Sequence, residues 1–208
     1  MNAIDLSQLN VNFNGKQVLK NISLSVKDGD KLHIYGSNGA GKSTLLRCLV
    51  ALLTPTSGEI RIYSKKPEFA LNKVGYLSAN AESLFSRLSG EENIRLMSEL
   101  IGQTSEQHPF KRTFESDELF KQLLNTPFHQ CSSGMKRYLL FYLSLMQNPD
   151  LLIMDEPFMG MAPALKEKLI NFMQDQLSSK TILVVSHDHQ LAPSFFHNKI
   201  ELKDGGLC

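Results

Sequence analysis

A chain of 208 residues, 42% hydrophobic and 21% charged, fits one domain or one domain with an inserted lobe, long enough to bury roughly 70% of its unfolded surface. Its formal net charge of +1 provides no global field for nucleic acid or an anionic membrane, so no nucleic-acid partner is expected. Three widely spaced cysteines (Cys48, Cys131 and Cys208) match neither a metal nor a disulfide framework and point to a reducing compartment.

The opening third reads as β-rich. Ile4 to Phe13, Val18 to Val26, Lys31 to Tyr35 and Glu59 to Tyr63 are short runs separated by Asn-Gly, Asp-Gly and Thr-Ser-Gly turn signals. Leu45 to Leu53 is nearly all apolar, as a buried helix would be. Ser89, followed by Gly90-Glu91-Glu92, predicts an N-cap and a helix through Leu100. Gln103 to His108 is polar and reads as a loop. Leu119, Phe120, Leu123 and Leu124 give Ser116 to Leu124 a helical spacing, and Ser132 to Met146 is a third helix candidate. Leu151 to Met154 is a continuous apolar run, as expected of a parallel strand covered on both faces. Pro163 opens the next helix, with Leu165, Leu169, Phe172, Met173 and Leu177 as its inner stripe. Thr181 to Val185 is another buried strand. The pattern is an α/β core over about 1–80 and 147–208, interrupted by a helical lobe over about 81–146.

Between strand 31–35 and the apolar helix stands Gly36-Ser37-Asn38-Gly39-Ala40-Gly41-Lys42-Ser43-Thr44, which satisfies G-x-x-x-x-G-K-[ST] in the context that pattern requires. Glycine lets such a turn curl until several backbone N–H groups aim at one anion, and the helix N-terminus adds its partial positive charge. Lys42 would then reach the β- and γ-phosphates of a nucleoside triphosphate, with the Ser43 hydroxyl on Mg²⁺. Strand 151–154 ends in Asp155-Glu156-Pro157, at the carboxyl edge where α/β folds present ligand-binding groups. Asp155 there can hold Mg²⁺ opposite Ser43, and Glu156 can polarise an attacking water. His187 and His189 lack an evident third ligand, so they are not read as a metal site.

Taken in order, these segments resemble the nucleotide-binding domain of an ABC (ATP-binding cassette) ATPase over essentially the full chain. Gly36 to Thr44 is similar to that family's Walker A, and Leu151 to Glu156 to its Walker B with the catalytic glutamate. Ser186-His187-Asp188 resembles the switch-histidine segment, and Cys131-Ser132-Ser133-Gly134-Met135-Lys136-Arg137 the signature normally written L-S-G-G-Q. The resemblance implies a P-loop nucleoside-triphosphatase core with an antiparallel β subdomain and an inserted helical subdomain. It also implies that His187 contacts the γ-phosphate and that Phe13 stacks on adenine. Ser132, Ser133, Gly134 and Met135 would face ATP held by an opposite subunit, so that two chains, identical or different, sandwich two ATPs. Departures from the family pattern are Ser78-Ala79-Asn80 where a glutamine should follow Leu77, Ser133 and Met135 within the signature, and Ala162 in place of an aspartate. Asn80 could supply its amide oxygen to Mg²⁺ or water on a shorter arm, or that function could be missing.

The resemblance therefore implies an ATP-hydrolysing subunit that energises an integral membrane transport subunit through dimer closure. Compact length is similar to the small exporter ATPases, including the cytochrome c maturation haem-exporter type. Two other readings stay open: a soluble cassette ATPase acting as regulator or assembly factor, and a module that holds ATP with little turnover. Met1 to Asp5 shows no leader pattern, and Tyr138 to Met146, the longest mostly apolar stretch, is half a bilayer span. A cytoplasmic chain, peripheral to the inner or plasma membrane through its partner, is expected. Leu84 and Phe85 are candidate contacts for a cytoplasmic helix of that partner, or else packing within the lobe.

Overall fold

The computed structural model describes residues 1–79 and 84–208. Among these, the strands form a three-stranded antiparallel sheet and a six-stranded, mostly parallel one. β1 (Asn2–Phe13) and β2 (Lys16–Lys27) make a hairpin. Its turn, Asn14-Gly15, has φ of 47° and 80°, the left-handed pair whose twist matches the flanking strands. β4 (Ser57–Ile62) pairs with the other edge of β1, with Ile4 opposite Ile62 and Leu6 opposite Ile60. The inward side chains of this sheet pack on Leu45, Leu46 and Leu49 of helix α1 (Lys42–Leu49).

The larger sheet contains β3 (Lys31–Tyr35), β5 (Val74–Leu77), β6 (Leu151–Asp155), β7 (Thr181–Ser186), β8 (Asn198–Lys203) and β9 (Gly206–Leu207). Their order is β5-β6-β7-β3-β8-β9, parallel except for the last pair. β6 and β7 are buried at every position because both sheet faces are covered. Alternation divides their side chains cleanly. Leu151, Ile153, Leu183 and Val185 join the α1 side, whereas Leu152, Met154, Ile182 and Val184 join the helices opposite. Each such side chain contributes about 1.5–3 kcal/mol on burial, so these two strands anchor everything attached to their carboxyl ends.

The opposite layer is built from α2 (Gly90–Leu100), α3 (Lys111–Glu115), α4 (Glu118–Asn125), α5 (Ser133–Ser144) and α6 (Pro163–Gln176). α2 opens as its sequence predicts. Ser89 Oγ accepts from the Glu92 N–H at 3.2 Å, and the Glu92 carboxylate accepts from the Ser89 N–H at 2.7 Å. Under the layer Phe114, Phe120, Tyr138, Phe141 and Tyr142 pack against one another and against α6.

Several boundaries differ from the sequence expectation. The apolar run 45–53 does not continue as helix: α1 stops at Leu49, Ala51 turns left-handed at φ 57°, and the Leu52 N–H returns to the Arg47 carbonyl at 2.8 Å. Leu52 is consequently 68% exposed. The polar segment 103–108 contains a short 3₁₀ turn at Ser105–Gln107, and α3 follows it. Leu84 and Phe85 part company, Leu84 buried in the core and Phe85 exposed.

Candidate functional site

The carboxyl edge of the parallel sheet gathers four segments in space. The glycine loop follows β3, Asp155 ends β6, Ser186 ends β7 with His187 just after it, and Ser78-Ala79 follows β5. Gly36 is required for close approach: a Cβ there would lie 2.2 Å from the Leu202 carbonyl oxygen on β8. Gly41 caps α1 at φ 107°, a torsion that strains any other residue. Together these turns place Lys42 in the first turn of α1, 7% exposed, its Nζ donating to the carbonyls of Gly36 at 2.7 Å and Ser37 at 3.0 Å. The ammonium thus sits folded over the loop that would hold phosphate.

Asn38, Gly39, Gly41, Lys42, Ser43, Thr44, Asp155 and Glu156 line a cavity of about 220 Å³, joined by Val18 and Ala79. Asp155 is 2% exposed and lines the cavity together with the Ser43 side chain. Burial pushes its carboxyl above the ordinary range; the Ser43 contact opposes that shift and the neighbouring Glu156 charge adds to it. A hydroxyl and a carboxylate meeting at the helix N-terminus are the hard oxygen donors that Mg²⁺ selects. The donor set fits.

Glu156 leaves the strand at φ 48°, a left-handed torsion costing about 1–3 kcal/mol in a non-glycine residue. Its N–H is held by the Val185 carbonyl at 2.9 Å. The turn swings the carboxylate toward β7, where Oε2 lies 3.0 Å from His187 Nδ1. The sequence spaces these residues 31 positions apart; the parallel pairing of β6 and β7 joins them.

At the N-terminus of α5, Ser132 Oγ accepts from the Met135 N–H at 3.2 Å. Ser132 and Ser133 are exposed, so this segment is open to a second molecule; neither lines the cavity of its own chain. The Ser133 hydroxyl donates to the Gly160 carbonyl at 3.2 Å, which ties the segment to the chain just beyond Glu156. Phe13 is 45% exposed at the tip of the hairpin and stands outside the cavity lining, whereas Val18 of the same hairpin lies within it. Asn80 lies outside the described residues.

Arg137 is a residue whose part in the site was missed. It is 5% exposed on α5, and its guanidinium donates to the carbonyls of Ser78 and Ala79, each at 2.6 Å. Burial lowers its pKa, while the charges of Asp155 and Glu156 hold it up. No motif reports this contact, because both acceptors are backbone atoms on a distant loop. The available signal was an arginine adjoining the apolar run Tyr138 to Leu143.

A family profile described as ABC transporter matches residues 19–159. The manganese transport system ATP-binding protein MntB of Bacillus subtilis is 30% identical over 204 residues, covering 93% of this chain and 80% of MntB. ABC transporter A family member 8 of Dictyostelium discoideum is 31% identical over 192 residues, covering 90% of this chain but only 23% of that protein. A dimeric bacterial ABC transporter cassette of known structure superposes with a TM-score of 0.83 at 25% identity, covering 98% of this chain and 96% of its own. The fold and site define a P-loop nucleoside triphosphatase. The chain belongs to the ABC transporter family, and it is an ATP-binding ATPase of that family. Among the described residues no helix is long and apolar enough to cross a membrane.

Proposed function

We propose that this chain hydrolyses ATP at the Lys42–Ser43–Asp155–Glu156 centre and passes the resulting closure and opening of a cassette dimer to a membrane-embedded transport subunit. The observation that carries this reading is the 3.0 Å contact between Glu156 and His187 beside the loop cavity. Glycine-loop N–H groups and the α1 N-terminus would hold the β- and γ-phosphates, with Lys42 exchanging the carbonyls of Gly36 and Ser37 for phosphate oxygens. Ser43 and Asp155 would hold Mg²⁺, which neutralises charge developing on the phosphates when bound. Glu156 takes the proton of the attacking water, and His187, oriented by that same carboxylate, faces the γ-phosphate. Ser132 and the N–H groups around Gly134 meet the nucleotide of the opposing cassette, while Phe13, with a free face at the hairpin tip, stacks on adenine.

The layer formed by α2, α3, α4 and α5 acts as the lobe that moves. Between it and the sheet runs a groove of about 330 Å³ lined by Tyr76, Leu84, Met97, Leu100, Leu140 and Leu143 among others. Its apolar walls and the 71% exposed Leu100 suit a helix of the transport subunit, and such a contact would hold the chain on the cytoplasmic face of the inner or plasma membrane. The test is detergent purification of the tagged chain with its membrane partner. Leu100→Asp should retain nucleotide binding and lose the membrane protein. A membrane protein retained by Leu100→Asp, or absent from wild type, would overturn the assignment.

A further inference from the structure

His33 lies in the middle of β3 at 0% exposure, on the same strand face as Tyr35. Its Nε2 is 3.1 Å from Ser186 Oγ, whereas Nδ1 is buried with no hydrogen-bond partner. The Ser186 hydroxyl faces the Asp188 carbonyl at 3.3 Å and accepts from the Asp188 N–H at 3.0 Å. With its proton directed to Asp188, the Ser186 oxygen accepts from Nε2–H of His33, and Nδ1 is left a bare buried acceptor. Burial keeps the ring uncharged at neutral pH, with a pKa lowered to about 4. Leucine would fill this core position without an unsatisfied nitrogen. What the histidine contributes in return is its grip on Ser186.

The turn it grips is held from other sides too. Tyr35 packs against the His189 ring with centroids 4.7 Å apart, and Lys166 of α6 pairs with Asp188 at 3.0 Å. Asp188 also accepts from the Gln190 N–H at 2.9 Å. His187, in the middle of this pinned turn, has 61% of its side chain exposed and faces Glu156. We propose that His33 is a positioning residue which, through Ser186, fixes the turn that aims His187 at Glu156. This rests on the reading of His187 as part of the hydrolytic centre.

The test compares His33→Leu, His187→Ala and the double variant by kcat, KM for ATP and thermal melting. His33→Leu should melt at or above wild type and hold KM, while kcat falls about tenfold because a small misplacement costs turnover rather than binding. In the His187→Ala background the same substitution should leave kcat unchanged. Ser186→Ala, which removes the acceptor and keeps the ring, should reproduce the loss and add nothing to His33→Leu. Wild-type kcat in His33→Leu, or its full loss persisting without His187, would overturn this proposal alone. Wild-type turnover in His187→Ala would instead remove the assignment of His187 itself, and this proposal with it.

Discussion

Acid should destabilise this protein through its buried histidines, and His108 shows why most clearly. The ring is 5% exposed and stacked on Tyr142 at 3.8 Å, its planes 5° apart. Nε2–H donates to the Tyr142 carbonyl at 2.9 Å, and Nδ1 accepts from the Phe110 N–H at 3.1 Å. Both nitrogens are therefore committed to one neutral tautomer, and a second proton on Nδ1 would set two N–H groups against each other. Burial lowers the pKa from 6.5 to about 4, although the Tyr142 carbonyl pulls the other way. A base whose folded pKa is depressed takes up its proton in the unfolded chain first. Its stabilisation is complete above pH 6.5, declines as pH falls toward 4 and levels off below that. The interval corresponds to about 3 kcal/mol for His108. His33, lowered to a similar value, adds a comparable loss on acidification, and the two losses together approach the whole stability of a typical domain. Urea unfolding between pH 7.5 and 4.5, taken as illustrative limits on both sides of the ordinary histidine pKa, reads this directly. His108→Asn keeps an acceptor near Nδ1 but cannot titrate. Its stability at neutral pH should be lower, and its decline on acidification should be shallower than that of wild type by about half. An equally steep decline in the variant would refute the reasoning.

Lys42→Ala should weaken ATP binding at least tenfold, since an ammonium–phosphate hydrogen bond is worth about 1.5–3 kcal/mol; unchanged affinity in a nucleotide titration would contradict the loop assignment. Arg137→Lys places a single amine where a planar fork holds two carbonyls at 2.6 Å, so urea melts should show a loss of about 2 kcal/mol, with turnover also reduced. Unaltered stability and turnover would mean that this bridge between α5 and the loop after β5 carries no energy.

Legibility in the sequence followed from how local each feature is. The glycine loop, strands β6 and β7 and the Ser89 cap are written in contiguous residues, and each forms at the place expected. β8 was not anticipated because Asn198–Lys203 is half polar and only partly buried, and its place beside β3 is decided by pairing. α3 has one buried residue, Phe114, and exists because aromatic neighbours from α4, α5 and α6 surround that ring. Within the site, Asp155, Glu156 and His187 were singled out by residue type and by their places after apolar strands. The left-handed turn at Glu156 that brings two of them together was not legible, because it is set by a hydrogen bond to β7. Ser133 has a similar lesson: its hydroxyl reaches the Gly160 carbonyl, a contact visible only once the chain beyond β6 folds back over α5.

The most direct test of the account is the steady-state ATPase rate at saturating ATP for wild type and Glu156→Gln. The amide keeps the shape of the carboxylate and loses its basicity, so turnover should fall by about 10²–10⁴-fold with nucleotide affinity retained. Equal rates in the two proteins would contradict the claim that Glu156, turned toward His187 at the edge of the sheet, carries the hydrolysis.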